Sequence, residues 1–263
     1  METVIEKYDL AAFEELKDLL LRNFPDFWTR RFAQGKYSFP YDLELFVLRE
    51  KESRKMIGTI GIHDYRVLCE GETLLLAGVC DVGVDPDYRK QGFAGKMVAF
   101  VKEYAQRDPA YCGMALYTEK PWAYYSSGFT VYEPELPPEE RFSSNGTESG
   151  WISLAGRNRE DPLRCTVLSI YENAPSFPGK CIRSSKTWEE IFEEEKHLFR
   201  IQEQSFILRK EGRILEAYSL EKSYCDSGSF EEHILMTLPF REEDLFARMI
   251  REKRFLFPVA DTF

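Results

Sequence analysis

The sequence predicts an α/β fold in two parts, and three observations carry that prediction. Between residues 42 and 84 the apolar residues fall in period-2 and continuous runs separated by polar turns, the signature of consecutive strands. An amphipathic stretch opened by a glycine, residues 92–107, follows the last of these runs as a helix follows a strand. A Pro- and Glu-rich break at 133–150 then separates this region from a second half with its own apolar runs. The expected domains are 1–135 and 151–263, joined by a linker at 136–150. With 263 residues, 43% of them hydrophobic, each half can bury a core, and the 20 Phe, 14 Tyr and 4 Trp exclude a solvated coil.

Taken in order, Phe13, Leu16, Leu19, Leu20 and Phe24 share one helical face in residues 11–24, and a short helix is expected from Phe27 to Phe32. Leu45 to Leu48, Met56 to Ile62 and Leu74 to Val84 read as three strands, with the polar Glu50 to Lys55 as a hairpin tip. Phe93, Met97, Phe100, Val101 and Tyr104 form the buried stripe of the next helix. A strand at Met114 to Tyr117, an aromatic turn at Trp122 to Tyr125 and a strand at Phe129 to Tyr132 complete the first half. In the second half Cys165 to Tyr171 reads as an apolar strand. Thr187 and Glu190 have capping-box spacing before a helix carrying Ile191, Phe192, Leu198 and Phe199. A hairpin, Phe206 to Leu208 and Ile214 to Leu220 around Glu211-Gly212, leads to a strand at His233 to Leu238. A helix at Glu242 to Lys253 and a strand at Phe255 to Val259 follow.

Composition narrows the function. Lys and Arg number 35 against 45 Asp and Glu, a net charge of −10, which disfavours nucleic acid and favours a cationic partner. No apolar run approaches the length of a membrane span, and the first ten residues do not read as a secretory signal. The six cysteines contain no C-x-x-C pair and the three histidines stand far apart. The expectation is therefore no metal, and reduced structural thiols in a cytoplasmic protein.

The most informative stretch is Val82-Gly83-Val84-Asp85-Pro86-Asp87-Tyr88-Arg89-Lys90-Gln91-Gly92-Phe93-Ala94-Gly95-Lys96. A buried strand ends at a proline, a short loop carries basic residues and a glycine, and a helix starts on small residues. Open amides at a helix start, its dipole and missing side chains together make an anion cradle, with Arg89, Lys90 and Lys96 adding local positive charge. The plainer alternative is a glycine-bearing strand-to-helix loop with surface lysines. Neither a P-loop nor a dinucleotide-binding glycine pattern is present.

Arg89-x-x-Gly92-x-Ala94, preceded by Val82-x-Val84-x-Pro86, resembles the acetyl-CoA signature of the GNAT superfamily of N-acetyltransferases, and Tyr124-x-x-x-Gly128-Phe129 resembles its later aromatic motif. The resemblance implies a mixed, mostly antiparallel sheet flanked by helices, followed by a smaller α/β domain, with acetyl-CoA as acyl donor. Backbone groups of Val82, Gly83 and Val84 would hold the pantetheine arm. The amides of Lys90, Gln91, Gly92, Phe93, Ala94 and Gly95 would hold the pyrophosphate, with Arg89 shaping the loop. Ala77-Gly78-Val79 and the presence of a second half are similar to the Eis-like branch, which acetylates primary amines. Tyr171, Arg183, Trp188 and the 206–220 hairpin look like its degenerate second domain. That half lacks an Arg-x-x-Gly-x-Gly loop and is expected to wall the acceptor pocket or to serve a homo-oligomer surface.

An alkyl ammonium is neutral only about 0.04% of the time at pH 7, so acyl transfer to it needs a base. Asp81, the one acid in the apolar run Val79 to Val84, is a candidate, since an acid there needs a partner or a purpose. The C-terminal carboxylate of Phe263 is a second candidate, implied by the Eis-like resemblance, and His63 beside Asp64 is a third. Tyr124 is implied as the general acid for the departing thiolate. Cys80 reads as a small buried hydrophobe. The expected activity is N-acetyl transfer to a small-molecule amine or a lysine-containing acceptor. The alternative is a non-catalytic acyl-CoA-binding or regulatory module.

Overall fold

The chain is seen in a computed structural model that describes residues 1–9, 13–40, 42–133, 150–177, 179–202, 204–211, 213–220, 223–225 and 234–255. Strand β1 (Thr3–Lys7) precedes helices α1 (Phe13–Asn23) and α2 (Pro25–Ala33). Strands β2 (Glu44–Glu50), β3 (Met56–Cys69) and β4 (Glu72–Val84) form the expected meander, and helix α3 (Phe93–Gln106) leads to β5 (Tyr111–Thr118). Two 3-10 turns, Pro121–Ala123 and Tyr125–Ser127, then reach β6 (Thr130–Val131). Next come α4 (Pro162–Asn173), β7 (Lys180–Cys181), α5 (Ser185–Glu193), β8 (His197–Gln202), β9 (Ser205–Lys210), β10 (Arg213–Ser219) and β11 (Ser223–Cys225). The described chain closes with β12 (Ile234–Pro239) and α6 (Leu245–Arg251).

By its contacts the chain divides into two compact units that interleave in sequence. One comprises 1–65, 75–131 and 234–241; the other comprises 66–74, 132–233 and 242–263. In the first unit the strand order is β1-β2-β3-β4-β5-β12-β6. The β4–β5 pair is parallel, while β12 runs antiparallel to both β5 and β6. Strand β2 is buried through both faces. Phe46 and Leu48 enter the core under α3 with Met97, Val98 and Val101, whereas Leu45 and Val47 join Leu16, Leu20 and Trp28 of α1 and α2. Fully burying one such Leu is worth about 1.5–3 kcal/mol, so the alternation of β2 fastens both helix layers to one sheet.

The second unit has a four-stranded sheet, β11-β10-β9-β8, and a core in which α4 and α5 supply Val167, Ile170, Tyr171, Trp188 and Ile191. Here several sequence expectations are corrected. Residues 165–171 lie in helix α4, not in a strand. The β-branched Thr166, Val167 and Ile170 read as strand, but the Asp161 carboxylate accepts from the Leu163 amide at 2.9 Å and Pro162 sets the first turn. Burial at Arg164, Val167, Ile170 and Tyr171 then follows the helical period. Helix α5 starts earlier than the Thr187 capping box, because Ser184 is the cap and its hydroxyl accepts from the Thr187 amide at 3.1 Å. Leu198 and Phe199 belong to β8, since α5 ends at Glu193. Helix α6 is shorter than 242–253. The order helix, strand, helix, four-stranded meander replaces the expected strand-helix-hairpin order. Most of the linker, His233, Gly212, residues 256–259 and Phe263 lie outside the described residues.

His197 sits 5% exposed in this unit, with Nδ1 2.9 Å from the Ile191 carbonyl oxygen. Burial, followed by the nearby Lys210 and Arg183, pushes its pKa down to about 4, although the Ile191 hydrogen bond and Glu194 oppose this. The unfolded imidazole binds its proton first, so its contribution is fully present above pH 6.5 and is lost as pH falls toward 4. The loss is about 3 kcal/mol. Urea midpoints measured at pH 7.5 and 4.5 should therefore differ, and His197→Gln should flatten the difference. An equal pH dependence in the variant would show that another group is responsible.

Candidate functional site

Strand β4 carries an irregularity that its sequence does not announce. Asp81 has φ 50, a left-handed residue inside a strand, and its carbonyl accepts from the Thr59 hydroxyl at 2.8 Å. The register of β4 against β5 runs from Leu75↔Tyr111 to Gly78↔Ala115 and ends there. Yet β4 continues to Val84 and β5 to Thr118, the latter paired on its other side with β12. The two parallel strands part at Gly78, and the β5-facing edge of Val82 to Val84 has no ladder partner on β5. Such an edge can accept an extended ligand as though it were a strand.

The loop after β4 is tied down by charge. Asp85 is 2% exposed. Its carboxylate accepts from Arg22 at 2.8 Å and from the Asp87 amide at 3.0 Å, and its own amide donates to Ile57 at 2.9 Å. Arg22 also donates to Asp87 at 2.8 Å and holds that carboxyl below its usual range. The Arg89 Nε donates to the Val84 carbonyl at 3.0 Å, and its Nη2 to the Asn23 side chain at 3.2 Å. Arg89 therefore clamps the loop to the end of α1. Asn23 also packs directly on Gly83, whose added Cβ would lie 2.9 Å from the Asn23 Cγ.

The backbone then turns left-handed at Lys90 (φ 63) and Gly92 (φ 79), and Gly92 is the N-cap of α3 without any side-chain cap. The first amide of this turn bonded within the helix is Lys96, to the Gly92 carbonyl at 3.0 Å. The amides of Phe93, Ala94 and Gly95 are the orphan donors of a helix start. A Cβ on Gly92 or on Gly95 would meet nothing within 4 Å, so the surface over these amides is open to a phosphate group. The phenyl ring of Phe93 packs against the core, so the amide is its contribution here. Lys96, expected to add charge to the cradle, is engaged elsewhere: its Nζ donates to the Thr3 hydroxyl at 2.7 Å.

Tyr124 follows the first 3-10 turn and is 8% exposed, in the core that also contains Val79 and Phe129. Val82 and Val84 pack against that same core, so the phenol and the parted strand share one cluster. Burial raises the phenol pKa against an opposing hydrogen bond with Thr118, so it stays protonated at neutral pH. Trp122 and Tyr125 on either side of it are 66% and 53% exposed.

His63 lies closer to the point of strand separation than its sequence neighbours indicate. A Cβ built on Gly78 would fall 2.3 Å from the His63 Nε2, 2.7 Å from Cε1 and 2.8 Å from Cδ2, so the ring meets the Gly78 backbone tip first. A glycine in an otherwise apolar strand, three positions from the acid Asp81, is the one trace of this in the sequence. Cys80 is half-buried against Gly61. Among the described residues no group of three or more His, Cys, Asp and Glu is placed to hold a metal ion, and no helix is long and apolar enough to cross a membrane.

Residues 9–132 match the family model described as an acetyltransferase (GNAT) domain. Among solved structures, a GCN5-related N-acetyltransferase from Kribbella flavida aligns at 14% identity and a TM-score of 0.53, over 83% of this chain and 57% of that one. A conserved protein of unknown function from Enterococcus faecalis V583, titled a probable N-acyltransferase, aligns at 13% identity and a TM-score of 0.55. That alignment covers 84% of this chain and 59% of the other. These likenesses are of fold, and the chain spans less than two thirds of the length of either protein. Among curated proteins no sequence matches the chain.

Proposed function

We propose that this chain, whose residues 9–132 carry a GNAT acetyltransferase domain, transfers an acetyl group from acetyl-CoA to a primary amine by direct attack. The observation that carries the reading is the uncapped helix start at Gly92 to Gly95, placed just beyond a strand edge that has lost its ladder partner. An acyl-CoA needs both, one for its diphosphate and one for its amide-bearing arm. Acetyl-CoA supplies the activated thioester. Val82, Gly83 and Val84 hold the arm through backbone groups, the amides from Lys90 to Gly95 hold the diphosphate, and Arg89 keeps the loop in shape. Amides of the same strand stabilise the oxyanion that forms on attack.

Tyr124 donates the proton that the departing thiolate needs, and its raised pKa keeps that proton in place between turnovers. The acceptor is a cationic small molecule or a lysine-like side chain, as the Eis-like resemblance implies and as a net charge of −10 favours. The test is thiol release from acetyl-CoA across a panel of primary amines, run beside Tyr124→Phe. The parent is expected to turn over, and the variant to be slower by about 100-fold or more with acetyl-CoA affinity unchanged. Unchanged turnover removes Tyr124 from the mechanism. A parent that binds acetyl-CoA and acetylates no amine is instead an acyl-CoA-binding module.

A further inference from the structure

We infer that His63 is the base that takes the proton from the acceptor amine. The inference rests on the acetyltransferase reading above and adds a residue to it. Its ground is the meeting of two independent features at Gly78: the β4–β5 ladder ends at that residue, and the His63 Nε2 stands 2.3 Å from where a Cβ on that residue would lie. An arm lying along β4, with its diphosphate on the α3 amides, runs from Val84 back toward Gly78. Those six residue-to-residue steps cover about 20 Å of extended strand. The thioester end of such a ligand arrives where the strands part, beside Nε2.

Gly78 is the element that permits this. Any side chain there would occupy the position of the ring tip, since its Cβ would stand 2.3 Å from Nε2. The ring is half-buried, and the edge-on contact with Tyr65, at 6.0 Å and 90° between planes, supports it from the same strand. Asp81, the acid nearest in sequence, instead carries the left-handed kink of β4, and the contact that fixes the kink is through its carbonyl.

The chemistry balances as follows. The alkyl ammonium gives one proton to Nε2, and the nitrogen lone pair forms the N–C bond at the thioester carbonyl. The C–S bond breaks and the thiolate takes the Tyr124 proton. The second proton lost by the nitrogen restores the phenol through solvent, and His63 releases its proton to water. The products are the amide, the free thiol of CoA and one proton.

The experiment compares the best alkyl amine acceptor of the parent with its aminooxy analogue, in which O–NH2 replaces CH2–NH2 and the nitrogen is already neutral at pH 7. His63→Gln is expected to slow the alkyl amine by about 100-fold, to slow the aminooxy compound far less, and to leave acetyl-CoA affinity unchanged. Equal losses on both acceptors, or no loss on either, overturn the assignment. Gly78→Ala provides a second route, because it displaces the ring without removing it. It should lower amine turnover in the parent and have no added effect in the His63→Gln background, and additive losses would overturn the assignment as well. A parent that acetylates neither acceptor overturns the acetyltransferase reading itself, a result distinct from any of these.

Discussion

Glu216→Ala is expected to lower the unfolding temperature by about 10 °C. Glu216 and Arg183 form a pair in which neither side chain is exposed at all. The Arg183 Nη1 donates to Glu216 at 2.9 Å and Nη2 bonds the other carboxylate oxygen. The guanidinium lies 4.8 Å from the ring centres of both Tyr171 and Trp188. Removing the carboxylate leaves that cation buried among rings without its counter-charge, a loss of about 3–5 kcal/mol. Replacing both partners with apolar residues, Arg183→Met with Glu216→Leu, should recover most of the loss, because the pair itself is worth far less than an orphaned half of it. Thermal unfolding of the parent, Glu216→Ala and the double variant decides the matter. A double variant no more stable than Glu216→Ala would show that the loss does not come from the orphaned cation.

No pattern in the sequence marks that pair, since 33 residues separate its members. The same limit recurs through the molecule. The meander of β2 to β4, helix α3 and its start at Gly92 were legible because each rests on local rules: alternation, a 3.6-residue period and glycine at a helix start. Helix α4 was not legible, because a run of Thr, Val, Leu and Ile satisfies a strand and one face of a helix equally well. The Asp161 cap, Pro162 in the first turn and the burial of Arg164, Val167 and Ile170 choose the helix. Strand β12 was recognisable as a strand, but its place between β5 and β6 depends on partners more than a hundred residues earlier. At the site, Gly92 and Arg89 were readable from the motif, whereas the kink at Asp81 and the His63–Gly78 contact arise from register across two strands. Pairing of that kind leaves in one sequence only an unexplained glycine and an acid within an apolar run.

Gly92→Asp should abolish the stabilisation that acetyl-CoA gives the parent. At one hundred times its dissociation constant a ligand adds about 2.7 kcal/mol, or roughly 5–10 °C for a chain of this size. The position accepts a side chain sterically, since a Cβ there meets nothing within 4 Å, though its φ of 79 strains any residue other than glycine by about 1–2 kcal/mol. Aspartate and asparagine are the residues after glycine that best tolerate a left-handed backbone, so the variant is expected to fold. Its carboxylate would take the amides that the diphosphate needs and place a negative charge where the ligand brings its own. Gly92→Asn separates these effects, because it caps and strains the loop similarly but adds no charge. The asparagine variant should keep part of the shift and the aspartate variant none, measured by thermal unfolding with and without acetyl-CoA. Equal shifts in the parent and the aspartate variant would place the anion elsewhere and leave α3 as an ordinary helix after a strand. A shift lost only in the aspartate variant would fix the diphosphate on the α3 amides. From there the direction of β4 carries the thioester toward Gly78.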